Sequence, residues 1–510
     1  MYAMSRNFIL IGVAAAAVAT TLSAGCRGSA SANAQSDEPP ADPRCAPFET
    51  VSEHPMGLAG ARQAHRRAAL RRYLRLREAA TPGHIRTLTA AIAPQHDIVA
   101  GRVCFAELYE AGRILFEHEF SFADGLGDDR ARSGMEAGQS PFRRVHRGAS
   151  GGPETISCTS CHWRGGPAGA GAVQDNSLLL GDGDRPDSAD ARNPPPLHGV
   201  GVVQALAREM TDDLAAIRRE LIATARRTGR TVERTLASKG VGFGVLRADK
   251  NGSLDASAVE GVDADLIIRP FGWKGNVATL REFVADSLRV HFGITSERDR
   301  SAEFTRGQMT ALIVYLAAQA LPIHGPPDTE YNLEEAAEGL LPPPPIRFHE
   351  AWSRGRLIFD ELGCASCHRP FLVLKDPRFT TVDDRGNSYT VDLSTRAEPP
   401  RISYDSAMGG YPVWLFSDLK RHDMGADNAA RHVHDGVPRS AYMTRRLWGL
   451  AHSSPYFHDG RAPVVDVAIR AHGGDAEHVR LEFEALSHAQ KNQLRVFLMS
   501  MRRAAQLSVP

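Results

Sequence analysis

The sequence predicts a mainly α fold of two tandem helical domains, with a small β-hairpin inserted in the first. Three observations carry this expectation: a pattern of helix, cysteine motif and closing helix that occurs twice, a proline run between the copies, and an Asn-Gly turn inside the first copy.

The duplicated pattern has three parts. Ala111-Gly-Arg-Ile-Leu-Phe116 corresponds to Arg354-Gly-Arg-Leu-Ile-Phe359, both reading as amphipathic helix ahead of a cysteine motif. Leu197-His-Gly-Val200 corresponds to Leu447-Trp-Gly-Leu450. Gln308 to Leu316 lines up without gaps on Gln490 to Leu498, with Leu312/Leu494, Val314/Val496, Tyr315/Phe497 and Leu316/Leu498 shared. Those positions have the spacing of a packed helix face, and Ser487 with Gln490 three later reads as a capping box.

The run Leu341 to Ile346 contains four prolines, cannot be helical and reads as the linker. Domains are therefore expected at 101–340 and 346–510, preceded by an extension over 27–100. The copies are unequal, because a Gly- and Arg-rich insertion near Ala123 to Pro153 separates the first helix from its motif. Gly242 to Asp265, with the Asn251-Gly252 turn, reads as the hairpin. Asp249, Asn251 and Asp255 lack EF-hand spacing and read as a surface turn, not a calcium loop.

The chain has 510 residues, more than one ordinary domain holds. Lys and Arg together number 60, as do Asp and Glu, so no global charge directs it to nucleic acid or a membrane surface. The basic stretch Arg62 to Arg77 reads as a solvated helix with one packed side, marked by Leu70, Tyr73, Leu74 and Leu76. Residues 1–26 read as an export signal: Arg6, an apolar run from Phe8 to Leu22, then small residues ending at Cys26. Cys26 suits either a lipoprotein cleavage site or the end of a plain cleaved signal, since Ser23 stands where a lipoprotein signal usually has Leu. The expected location is the periplasm or cell exterior, including an outer-membrane lipoprotein, with membrane contact only through that lipid.

Four of the seven cysteines form Cys158-Thr-Ser-Cys161-His162 and Cys364-Ala-Ser-Cys367-His368. Cys-x-x-Cys-His is the attachment signature of haem c: two thiols add to the two vinyl groups, and the adjacent histidine reaches the iron. A zinc site would need the two pairs brought together, and a redox dithiol would not require histidine both times. The cofactors expected are two covalently bound haems c, and the helical units become cytochrome c-like haem domains. Besides Cys26, only Cys45 and Cys104 remain, a pair that an oxidising compartment lets bridge, although connectivity is not readable from sequence.

Leu447-Trp-Gly-Leu-Ala-His-Ser-Ser-Pro-Tyr-Phe-His-Asp-Gly-Arg461, followed by Ala471-His-Gly-Gly474, resembles the dihaem cytochrome c peroxidase superfamily, which includes rubber oxygenases. Arg421-His-Asp-Met-Gly425, Arg192-Asn-Pro-Pro-Pro-Leu197 and Phe271-Gly-Trp-Lys274 are similar to its dihaem oxidoreductase, or thiol oxidoreductase, branch. The resemblance implies a peroxidase-type oxidoreductase acting on peroxide, dioxygen or an organic substrate. It also implies a small redox donor, either a c-type cytochrome or a cupredoxin, and it is the sole reason to consider calcium as a further cofactor.

Function then turns on the sixth iron position, because the porphyrin fills four and His162 or His368 a fifth. In the second half His472 is the expected ligand, since it follows His458 where peroxidase relatives place a Met or Tyr; His458 and Met424 are the next candidates, with His422 nearby. The first half has fewer ligands, so the resemblance implies an open site there, although His198 replaces an aromatic residue of the family and could close it. Gln204 stands near a family Glu and Glu209 follows, making both candidates for moving a proton or stabilising charge at the oxidant. Trp273 is the candidate electron bridge, and Leu288 falls near an apolar distal residue of the rubber oxygenases. The alternatives are a dihaem electron-transfer protein without a substrate of its own, or an oxygenase or thiol oxidase of the same superfamily.

Overall fold

A computed structural model describes residues 92–127, 145–147, 153–297, 302–325 and 348–503. The export signal, Cys26, Cys45, the basic stretch, the proline linker and most of the Ala123 to Pro153 insertion lie outside them. Among the described residues no helix is long and apolar enough to cross a membrane.

The helices, in chain order, are α1 (Gln95–Val99), α2 (Phe105–Glu117), α3 (Val200–Thr228), α4 (Leu280–Ser287), α5 (Arg306–Ala317), α6 (Phe348–Glu361), α7 (Val465–Arg470), α8 (Glu477–Ala485) and α9 (His488–Met499). Helix α2 crosses α5, and α6 crosses α9. Each crossing depends on a glycine that lets two backbones touch. A Cβ at Gly112 would strike the Ala311 carbonyl and Tyr315; one at Gly355 would strike the Gln493 carbonyl and Phe497. These are corresponding residues of the repeat, so its first and third parts meet in the same way in both halves. Capping boxes start both closing helices, Thr305 with Gln308 and Ser487 with Gln490.

The buried face of α2, which includes Leu108, Tyr109, Leu115 and Phe116, packs on α5, which is buried along its whole length. Burial of each such large side chain contributes roughly 1.5–3 kcal/mol. A second, smaller cluster joins Ile358 and Phe359 of α6 to Leu494 and Phe497 of α9.

Short strands add β structure to the expected helices. Val232–Ser238 and Val241–Ala248 form the main hairpin, turning at Lys239 and Gly240, which both have positive φ. Beyond Asn251-Gly252, Leu254–Asp255 pairs back on the second strand and Val259 bridges to Gly244. The hairpin thus begins earlier than the sequence suggests, because its first strand is exposed at four of seven positions and gives no alternating signal. Asp249 Oδ1 accepts from the N–H groups of Asn251 and Ser253, so that turn is closed by its own carboxylate.

The second half also contributes to the first half's core. Leu372, Leu374, Phe379 and Val391, from the short strands after the second cysteine motif, share one cluster with Leu206 and Met210 of α3. Described residues 92 onward belong to one compact unit, joined through this segment.

Candidate haem sites

Each Cys-x-x-Cys segment forms a tight helical turn at the end of the path leading from α2 or α6. His162 Nδ1–H donates to the Gly169 carbonyl and His368 Nδ1–H to the Phe416 carbonyl, each at 3.1 Å. This fixes the tautomer and leaves Nε2 of each ring for a metal. Burial pushes both imidazoles down to about 4, although those carbonyl bonds oppose the shift. Both rings are therefore neutral at physiological pH, the state in which an imidazole can bind a metal.

The second part of the repeat builds the loop that aims these rings. Leu197 N–H donates to the Ala168 carbonyl and Leu447 N–H to the Leu415 carbonyl, in each case the residue before the acceptor of the motif histidine. Gly199 and Gly449, two residues on, both adopt left-handed backbone. His198 is thereby attached to the loop on the His162 side and lines a cavity between the halves. Burial, with Arg503 and Arg446 nearby, pushes its pKa well down.

That cavity has a volume of about 250 Å³ and is lined by Cys364, Cys367, His368, His472, Trp273 and Pro194 among others. His472 donates Nδ1–H to the Ala468 carbonyl at 2.8 Å, and its ring centroid lies 6.4 Å from that of His368. An imidazole nitrogen binds such metals at about 2 Å and sits about 1 Å from its ring centre, so trans imidazoles have centres about 6 Å apart. The His368–His472 gap therefore fits an iron, and the residues present fit a haem. The two cysteine pairs do not come together as a four-thiolate cage: Cys367 instead approaches His422, and the thiols of Cys158, Cys161 and Cys364 are pushed up to about 12, chiefly by burial.

The other sixth-position candidates, His422, Met424 and His458, line the same cavity. His422 Nε2 meets Asp418 at 2.8 Å, and Met424 lines the cavity. His458 stacks on Tyr442 at 4.5 Å and lies 6.4 Å from Trp273, so it stands between the halves. Trp273 donates Nε1–H to the Asn193 carbonyl, while the Arg445 guanidinium lies 4.4 Å over its ring. A cation on that face disfavours removal of an electron from the indole.

Gln204 and Glu209 occupy structural positions on α3. Gln204 Oε1 accepts from Leu280 N–H and its Nε2 donates to the Thr380 carbonyl. Glu209 accepts from the N–H groups of Lys375 and Asp376 and pairs with Lys239. These bonds tie α3 to α4 and to the second-half strands.

A fourth repeated segment becomes evident in three dimensions. Pro270-Phe-Gly-Trp-Lys-Gly275 corresponds without gaps to Pro455-Tyr-Phe-His-Asp-Gly460, and each segment closes on itself through a bridge, Phe271 to Val277 and Tyr456 to Ala462. Continued along α4 and α7, the same register pairs Ser287 with His472. Ser287 Oγ donates to the Phe283 carbonyl at 2.7 Å, the counterpart of the His472 bond to Ala468. The first half therefore has a hydroxyl bound to its own helix where the second has an imidazole facing His368. Next to it Leu288 is buried, and a wide π turn runs from Leu288 to Phe292. Sequence comparison alone lacks this pairing, because α3 and the hairpin displace it from the register of the cysteine motifs.

Residues 348–501 match the protein-family model described as "Di-haem oxidoreductase, putative peroxidase", the family that the motifs resemble, and that match supports a haem-dependent oxidoreductase. No curated protein matches the chain. Among solved structures, the chain is similar to Kuenenia stuttgartiensis hydrazine synthase, at 17% identity over 77% of this chain and 87% of that one, with a TM-score of 0.35. A MauG-like protein associated with microbial copper homeostasis is 14% identical over 78% of this chain and 88% of that one, with a TM-score of 0.31.

Proposed function

We propose that the chain is an exported dihaem c-type oxidoreductase whose first haem meets peroxide or dioxygen while its second supplies or stores electrons. The observation that carries this reading is the difference between Ser287 and His472 at one repeated position. Cys158 and Cys161 would hold one haem and Cys364 and Cys367 the other. His162 and His368 would each bind one iron, and His472 would give the second iron a further imidazole. Haem supplies an iron that exchanges electrons and, where its sixth position is open, binds a small oxidant.

The chain's own residues supply the rest. Gly169 and Phe416 hold the protons of His162 and His368 at Nδ1, keeping each Nε2 directed inward. Leu288, next to Ser287, is buried and would help to keep water from the first site. Trp273, on the junction between the halves and fixed by Asn193, is the bridging residue. Electrons arrive from a small redox protein, and export accounts for the leader sequence and for Cys26. Calcium, the resemblance's further cofactor, has no part in this reading.

The test is to mix fully reduced, haem-loaded protein with hydrogen peroxide and to follow both haem absorption bands. Rapid oxidation that saturates with peroxide is expected; slow oxidation, linear in peroxide and equal at both haems, would favour an electron-transfer module without a substrate.

A further inference from the structure

Beyond Ser287 and Leu288 the wide turn carries His291, which belongs to a three-residue network drawn from separate segments. His291 Nδ1–H donates to Glu154 Oε1, and His146 Nε2–H donates to Glu154 Oε2 at 2.6 Å. Ser177 Oγ also donates to Glu154. Glu154 lies on the approach to Cys158, and its N–H donates to the His291 carbonyl at 2.9 Å, so the network joins the cysteine motif to the turn after α4. His146 is fully buried and Glu154 nearly so, whereas the His291 side chain is 29% exposed.

These donors could also suggest a metal site. The geometry decides otherwise. Two atoms sharing a metal at about 2 Å each are separated by about 3 Å, whereas His146 and Glu154 approach to hydrogen-bond distance. Burial raises the Glu154 pKa, but the two imidazoles outweigh it and hold the carboxyl well below its usual range. Glu154 is thus an anion that orients two rings. Among the described residues His146 Nδ1 is buried without a partner, which suits a ring whose contact is with Glu154. Among the described residues, no hydrogen bond engages Nε2 of His291.

We propose that His291, positioned by Glu154 and His146, is the proton-handling residue on the open side of the first haem. This rests on the reading above that the first site lacks a side-chain sixth ligand. It follows from the repeat: His472 faces its motif histidine from the end of α7, Ser287 holds the same place on α4, and His291 is one turn further along the same face. Hydrogen peroxide entering there gives one proton to Nε2 and becomes the hydroperoxide anion; no electron moves in that step. Gln204 and Glu209, with their polar atoms engaged elsewhere, do not compete for this role. The groups facing His291 from packed elements are Glu154, His146 and His162. The Asp286–Arg289 pair lies on its own helix, and the His118–Asp124 pair lies beside Phe120.

Cyanide binding tests this without relying on turnover, because hydrogen cyanide must also give up a proton to bind a ferric haem as an anion. Stopped-flow rates are measured on haem-loaded ferric protein, with haem content and the second haem's low-spin signal as folding controls. His291→Leu is expected to slow cyanide binding ten- to hundredfold, His291→Gln to do the same with less change in shape, and Glu154→Gln to move the pH at which the rate changes. Wild-type rates and an unchanged pH profile in all three variants would overturn the inference. If wild-type protein binds no cyanide, the open-site reading itself fails and takes this inference with it.

Discussion

Ser287 occupies at the end of α4 the position that His472 holds just past α7, and both side chains donate to the carbonyl four residues earlier. A hydroxyl used in this way cannot also act as a strong iron ligand, whereas an imidazole bonded through Nδ1 keeps Nε2 free. On the proposed reading, this one position would separate the roles of two otherwise similar sites.

Removing the ligand from the second site should make it resemble the first. His472→Ala is expected to abolish the low-spin signal of that haem and to allow added imidazole to restore it. Unchanged low-spin intensity in the variant, measured by EPR at equal haem content, would assign the ligand elsewhere.

The converse exchange is a stricter check. Ser287→His is expected to close the first site, adding a second low-spin haem and lowering cyanide binding at least tenfold. A ferric spectrum identical to wild type would mean that α4 does not face the iron as α7 does.

Lys274 holds the two halves together. Its Nζ donates to the carbonyls of Pro438, Arg439 and Ala441, and lies 3.6 Å over the Tyr442 ring. Lys274→Met leaves those acceptors unmet and is expected to cost about 2–4 kcal/mol in urea unfolding. Burial pushes the Lys274 pKa down to about 7, with Arg192 adding to the effect. Between that value and the ordinary lysine range the unfolded chain binds more protons than the folded one, so this residue's contribution to stability should rise with pH across that window. Urea midpoints of wild type and variant at pH 7 and pH 9 measure it, and an equal pH response in the two would reject it.

The helix crossings should be equally intolerant of bulk. Gly355→Ala would drive a methyl group into the Gln493 carbonyl, and a loss of roughly 1–3 kcal/mol is expected, with lower haem retention. Thermal unfolding followed at the haem band measures it.

Much of this architecture is legible in the sequence because it is set by short-range spacing. The two cysteine motifs, the Gly112 and Gly355 helices and the Ser487 capping box each lie within a few residues, and short local patterns keep their register. Ser287 and His472 escape that reading because α3 and the hairpin take the fourth segment out of register with the first two parts of the repeat, and its two copies share little beyond Pro270/Pro455 and Gly275/Gly460. The His146, Glu154 and His291 network escapes for another reason: His291 lies 137 residues beyond Glu154, and nothing in the periodicity of either segment requires the other. Gln204 and Glu209 show the reverse case, polar residues near a motif whose partners turn out to be backbone N–H and C=O groups of neighbouring elements.

The central claim is that one iron has two imidazole ligands and the other only one. EPR of the purified ferric protein carrying two haems tests this most directly. One low-spin bis-imidazole species and one high-spin species of equal intensity are expected; two low-spin species in the resting protein would contradict the account.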